Sequence, residues 1–99
     1  MTLPNDPMVL ELLPEFLETW IDDMENKYLL YVSDKNIDEM YRLAHTMKGS
    51  CYQFGLDDLG DRGVELMGYV KSGEWEKVEQ YHQPILKRFV EIDNYLKSQ

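Results

Sequence analysis

The sequence predicts an all-α protein, an up-down-up-down antiparallel four-helix bundle with a short N-terminal lead-in helix. Apolar residues recur every three or four positions through most of the chain, whereas the alternation typical of strands is not sustained anywhere. Four such stretches are joined by connections of only a few residues, which favours antiparallel neighbours; an orthogonal helical array is the alternative. The 99 residues, 43% of them hydrophobic, suit a single domain, 1–99, with one core.

The lead-in helix and the first main helix are expected to meet at a proline. Asp6 and Pro7 form a favourable helix start, because Asp caps free N–H groups and Pro fits the first helical position. Pro14 then interrupts or restarts the helix, since it has no backbone N–H to donate. The main helices are predicted at residues 14–32, 36–54, 57–71 and 74–97.

The second main helix has the most regular apolar seam in the chain. Asn36 and Glu39 resemble a capping box at its start. His45 follows Ala44 directly and therefore lies about 100° around the helix from the seam, at its flank or exposed to solvent. The seam is expected to face the core and consists of Ile37, Met40, Ala44, Met47, Cys51 and Phe54.

Glycine and proline mark the two remaining helices. Gly60, Gly63 and Gly68 lie inside the third helix and together cost on the order of 3 kcal/mol relative to alanine. Close backbone packing at Gly63 would offset part of this cost. In the last helix Pro84 removes a backbone donor and should produce a kink. His82 falls on the apolar seam of that helix, where a packed, half-buried histidine is expected.

The composition disfavours several classes of function. The net charge of −9 disfavours nucleic acid and anionic membrane surfaces as partners, since both attract basic proteins. No apolar run approaches the ~20 residues of a membrane span, and the N-terminus lacks the basic start of a secretory signal. The single Cys51 cannot form an internal disulfide. A monomeric, cytoplasmic protein is the expectation, and the initial Met1 favours a complete protein over an excised domain.

The unusual feature is the stretch 45–50, His-Thr-Met-Lys-Gly-Ser, in the middle of the second helix. Lys48 and Gly49 lie three and four residues after His45 and so share its helix face. A neutral imidazole is a competent nucleophile near neutral pH. If the imidazole attacks a phosphoryl group, Lys48 and Arg42 are near enough to offset the added negative charge. Gly49 would leave room for a partner, and phosphoryl transfer requires mainly such positioning and charge neutralisation.

This pattern resembles the active helix of histidine-containing phosphotransfer (HPt) domains, which read His-x-x-Lys-Gly-Ser. The similarity extends over residues 45–59, and the helix layout is similar over most of the chain. The resemblance implies that His45 accepts the phosphoryl group, that Lys48 is its charge partner and that Gly49 provides clearance. The residues expected to dock a partner on the same face are Tyr41, Arg42 and Tyr52.

The resemblance also implies the partners. In the family the phosphoryl group shuttles to and from aspartates of response-regulator receiver domains, and a hybrid histidine kinase is a further candidate partner. The chain has neither a Gly-rich phosphate loop nor a Walker pattern, so we expect a phosphocarrier rather than an enzyme that uses ATP. It is expected to need no cofactor, with Mg²⁺ held by the receiver. Some members support the imidazole with a Gln on the following helix, where Met67 stands here and cannot hydrogen-bond to the ring.

Two other classes of function are open. A helical adaptor would bind a signalling partner without phosphate chemistry, and His45 would then be an ordinary surface histidine. In that case Gly49 is a helix-contact glycine, and Tyr41 and Tyr52 are boundary residues that cover the core. A metal or cofactor bundle is the third class, but the two histidines do not occur at metal-ligand spacing, so no metal site is predicted.

Overall fold

The computed structural model describes residues 3–99, and all the regular secondary structure in this range is helical. Four helical stretches follow one another, as predicted. The first is continuous and comprises α1, a π-helical turn and α2, whereas the last is divided into α5 and α6. The helices are α1 (Pro7–Asp23), the π-helical turn (Met24–Tyr28), α2 (Leu29–Asp34), α3 (Ile37–Gln53), α4 (Asp57–Lys71), α5 (Trp75–Gln80) and α6 (His82–Lys97).

The predicted lead-in helix is not separate, because α1 runs from Pro7 through Pro14 without a break. The N–H that Pro14 lacks would have bonded to the carbonyl of Leu10. Leu10 is exposed, so water can serve that carbonyl instead. Leu13 and Leu17, on either side of the proline, are both fully buried and hold the two parts of the helix against the core.

The π-helical turn is the point where the first and last stretches are joined by side-chain hydrogen bonds. The His82 ring nitrogen Nε2 lies 2.7 Å from the carbonyl oxygen of Met24. The Tyr28 hydroxyl donates to the carbonyl of Val78 at 2.5 Å. His82 is only 6% exposed, so it is packed in the core, as expected from the apolar seam, but more deeply than the half-buried position predicted.

The last helix is interrupted just before its proline, where a kink was predicted. Helix α5 ends at Gln80, Tyr81 stands outside both helices, and α6 begins at His82. Pro84 therefore lies in the first turn of α6, where an N–H has no helical partner in any case. The single helix expected at residues 74–97 is for this reason two helices.

Helices α3 and α4 form the closest helix pair and are antiparallel. A Cβ on Gly63 would stand 2.7 Å from the backbone nitrogen of Lys48 and 3.0 Å from the carbonyl oxygen of Ala44. One turn earlier in α4, Gly60 faces the ring of Tyr52, which lies later in α3. Two of the three interior glycines of α4 thus permit close packing; Gly68 has open space around it, and nothing in the structure explains it.

The core is built from the apolar stripes of all four stretches. None of the helices described between residues 3 and 99 is long and apolar enough to cross a membrane. The side chains with 2% exposure or less are Leu13, Leu17, Met24, Tyr28, Met40, Ala44, Met47, Cys51, Leu56, Leu59, Leu66, Val70, Val78, Ile85, Phe89 and Ile92.

Candidate functional site

His45 stands on the outside of α3, as the phase of the apolar seam predicted. Its neighbours Ala44 and Met47 are fully buried, while His45 itself is exposed. Asn36 fixes the start of this helix, because its side chain accepts a hydrogen bond from the Glu39 N–H at 3.2 Å. The histidine is therefore carried on a well-anchored helix and points away from the core.

Among residues 3–99, no hydrogen bond holds the imidazole of His45. The only hydrogen bonds to histidine side chains within residues 3–99 are those of His82. Met67, which the resemblance placed where a supporting Gln was expected, is half-buried and packs against the core. Both ring nitrogens of His45 are consequently free of partners from the described part of the chain and accessible to a partner molecule.

An open cavity of about 710 Å³ lies beside the imidazole. Tyr41 and Arg42, both predicted as docking residues, line it together with His45. Ile37 also lines it and is 49% exposed, although its place on the apolar seam predicted a core position. It is the first residue of α3 and lies at the end of the bundle, where less of the core covers it. The full lining is Ile37, Asp38, Tyr41, Arg42, His45 and Lys71.

The cations near His45 differ in how far they are already engaged. The Arg42 guanidinium lies 3.0 Å from a carboxylate oxygen of Glu39, so part of its charge is offset within α3. Lys48 and Lys71 form no ion pair with any residue between 3 and 99. The structure therefore leaves two lysines near the imidazole, one from α3 and one from α4, without an acidic partner.

Gly49 lies in open space one turn after His45. A Cβ built on it has no neighbour within 4 Å, so intramolecular packing does not require glycine at this position. This observation contradicts its interpretation as a helix-contact glycine, a role that Gly60 and Gly63 fill instead. No neighbouring side chain therefore obstructs the surface at Gly49 itself.

Tyr52, predicted as a third docking residue, is held against α4 and does not line the cavity. Its ring covers Gly60, and its hydroxyl donates to the Asp61 carboxylate at 2.5 Å. That hydrogen bond, with some desolvation, raises the pKa of Tyr52 to about 12. The outer part of the ring remains exposed. Tyr52 therefore links α3 to α4 through its contacts with Gly60 and Asp61, and its exposed edge also forms part of the protein surface.

Sequence reasoning missed three residues of the cavity: Ile37, Asp38 and Lys71. Lys71 is the last residue of α4 and reaches the cavity because α4 runs antiparallel to α3, which brings its end level with the start of α3. The signal in the sequence was the pair of close-packing glycines, Gly60 and Gly63, which set this register. Their contacts with α3 are visible only in three dimensions.

Comparison with known proteins identifies the family of the chain. A family model described as Hpt domain matches residues 9–97, nearly the whole chain. No curated protein and no solved structure gives a match. The matched range includes the exposed histidine, both lysines and all the helices that position them. The chain belongs to the Hpt domain family, the helical domains that take part in histidine phosphotransfer of two-component phosphorelays.

Proposed function

We propose that this chain is a phosphocarrier that receives a phosphoryl group on His45 and passes it on to an aspartate of a receiver domain. The observation that carries the proposal is an imidazole exposed on α3 beside an open glycine, without a hydrogen-bond partner among residues 3–99, in a chain of this family. Phosphoryl transfer between partners requires positioning and charge neutralisation more than covalent assistance, and this surface offers both.

The transfer step uses only groups that the two partners possess. The unprotonated ring nitrogen of His45 attacks the phosphorus of an aspartyl phosphate on the receiver. The N–P bond forms as the P–O bond of the acyl phosphate breaks, and the bonding electron pair leaves with the aspartate carboxylate. The proton on the other ring nitrogen is released to water, which leaves a neutral ring that bears the doubly negative phosphoryl group. Transfer in the opposite direction reverses these changes.

Lys48 and Gly49 have separate roles in this step. Lys48 lies three residues after His45 on the same face and, without an ion-pair partner within residues 3–99, is available to the phosphoryl oxygens. Gly49 leaves the approach to the imidazole open, since nothing lies within 4 Å of its missing side chain. The receiver's loops can therefore approach the histidine closely enough for in-line transfer.

The partner surface extends from the cavity onto α4. Tyr41 and Arg42 line the cavity, and the exposed edge of Tyr52 lies beyond Gly49. Ile37 at 49% exposure and Val64 at 48% add apolar area that a partner would cover. We expect a modest, transient interface with an apolar centre and a polar rim. The receiver would supply the aspartate and the Mg²⁺ beside it.

The proposal extends to topology and setting. An up-down-up-down arrangement is supported by facing pairs that run in opposite chain directions: Trp20 stacks on Phe89, and further along Tyr28 bonds to Val78. We further propose a cytoplasmic monomer that uses no ATP itself, in keeping with the single free Cys51 and the absence of a phosphate-binding loop from the sequence.

The experiment is phosphotransfer profiling against a panel of phosphorylated receiver domains. We expect acid-labile, base-stable label on the wild-type chain and none on His45→Gln. If His45→Gln takes label at the wild-type rate, the acceptor is another residue. If the chain binds a receiver equally well with His45→Ala and neither protein exchanges phosphate, the chain is a helical adaptor instead.

A further inference from the structure

We propose that Lys71 of α4 contacts the phosphoryl group carried on His45 and is the second cation of the site. The inference rests on the proposed function and deepens it, because it assigns a residue outside the motif of α3. Lys71 lines the same open cavity of about 710 Å³ as His45, although twenty-six positions separate the two residues in the sequence. It is exposed and has no acidic partner among residues 3–99.

The charges around the cavity favour a role for Lys71 in binding an anion there. Asp38 lines the cavity and is negative. Arg42 is positive but lies 3.0 Å from the Glu39 carboxylate, which offsets it. Without Lys71 these neighbours sum to a net negative charge, on a chain that already carries −9. A doubly negative phosphoryl group would be repelled from the cavity side of His45 unless Lys71 compensates for it.

The two lysines approach the imidazole from different directions. Lys48 lies one turn after His45 along α3, on the side of Gly49. Lys71 reaches the cavity on the opposite side, among residues that precede His45 in α3. It also belongs to the last turn of α4, where the negative end of the helix dipole would otherwise face an incoming phosphate. The phosphoryl oxygens would therefore be held between two cations rather than beside one.

The register of the helix pair explains why Lys71 reaches the cavity that His45 also lines. Gly63 packs directly on the backbone of Lys48 and Ala44, so α3 and α4 lie unusually close at the level of the histidine. Two turns later α4 ends at Lys71, still beside α3. A long, flexible lysine side chain at this position lines the cavity and can extend towards a phosphoryl group bound there.

The test compares three variants: Lys71→Gln, Lys71→Arg and Lys87→Gln. Lys87 is an exposed lysine of α6 away from the cavity, so Lys87→Gln makes the same change in net charge and is the matched control. Label transfer from a phosphorylated receiver is measured as a function of receiver concentration. Phosphoramidate serves as a small donor that requires no docking, and thermal unfolding shows that each variant is folded.

We expect Lys71→Gln to lower the maximal transfer rate on the order of tenfold with both donors, because one of two compensating charges is lost. Lys71→Arg should restore most of the rate, and Lys87→Gln should match the wild type. Equal rates for Lys71→Gln and wild type would overturn the inference while leaving the acceptor role of His45 intact. A change in KM alone, with the receiver only, would also overturn it, since Lys71 would then dock the partner. If the wild-type chain takes label from neither donor, the proposed function fails and the inference with it.

Discussion

The contact between Gly63 and α3 gives a stability prediction with a definite sign. In Gly63→Ala the new Cβ would stand 2.7 Å from the Lys48 nitrogen and 2.9 Å from the Lys48 Cα, whereas ordinary contacts begin at 3.4 Å. These are backbone atoms in a helix and cannot rotate away. The two helices must therefore move apart, which costs about 1–3 kcal/mol by analogy with overpacked cores.

Part of that cost is offset by helix propensity, so the net effect has to be worked out. Alanine stabilises a helix interior by about 1 kcal/mol relative to glycine. We expect the free energy of unfolding of Gly63→Ala to fall by about 1 kcal/mol, with about 2 kcal/mol as the upper end. For a domain of this size 1 kcal/mol corresponds to a change of about 4–8 °C in Tm.

Gly68 provides the matched control in the same helix. A Cβ on Gly68 has no neighbour within 4 Å, so Gly68→Ala should gain the propensity term alone and raise the Tm. Circular dichroism at increasing temperature measures both variants, and urea titration checks that the m-value is unchanged. If Gly63→Ala is as stable as Gly68→Ala, the close packing of α3 on α4 is wrong, and with it the register that brings Lys71 to the cavity.

Three further predictions concern other parts of the molecule. Gly49→Ala should keep or raise the Tm because the position is open. Gly49→Trp should slow phosphoryl transfer from a receiver but not from phosphoramidate. Equal slowing with both donors would contradict the role of Gly49 in leaving room for the receiver. His82→Phe should lower the free energy of unfolding by about 1–3 kcal/mol, because it leaves the Met24 carbonyl unpaired. The folded variant should still take up the full amount of phosphoryl label. Loss of that label would contradict the assignment of His45 as the acceptor. Burial raises the pKa of the Cys51 thiol from 9.0 to about 12. The thiol of the unfolded chain therefore ionises first, and the free energy of unfolding should fall as the pH rises from about 9 towards 12. Urea unfolding at several pH values should show a smaller fall for Cys51→Ala, and an identical fall would exclude Cys51 as a cause.

The exposure of His45 was predictable because it depends only on local periodicity. The residues of the seam, from Met40 to Cys51, repeat with helical spacing, and that repeat fixes which side of α3 faces the core. The start of α3 was predictable for the same reason, since the cap at Asn36 lies within the segment itself. The positions of Lys48 and Gly49 on the same exposed face could then be predicted from their spacing of three and four residues from His45.

Features that depend on contacts between distant segments were not predictable. Lys71 joins the cavity only because Gly60 and Gly63 set the register of α4 against α3. In the sequence Gly49 and Gly63 are both interior helix glycines, yet one has open space and the other contacts backbone. Ile37 belongs to the apolar seam by its spacing but lies beyond the part of the core that could cover it.

The helix breaks predicted at the two prolines were placed wrongly, because each was judged from the proline alone and not from the residues packed around it. Pro14 was expected to divide the first helix, but α1 continues because buried leucines flank it and the Leu10 carbonyl, which lacks a helical donor, can accept from water. Pro84 does coincide with a break, although the break precedes it, at Tyr81. The π-helical turn could not be predicted from residues 24–28 alone. The His82 ring that contacts the Met24 carbonyl in this turn lies 58 positions later in the chain.

Locating the phosphoryl group after transfer from a receiver tests directly whether His45 is its carrier. Nuclear magnetic resonance of the chain labelled with ¹⁵N in its histidine rings detects coupling between phosphorus and nitrogen. We predict a single phosphorus signal coupled to a ring nitrogen of His45 and absent from His45→Gln. A signal coupled to His82, or a phosphorylated chain without any such coupling, would contradict the assignment of His45 as the carrier.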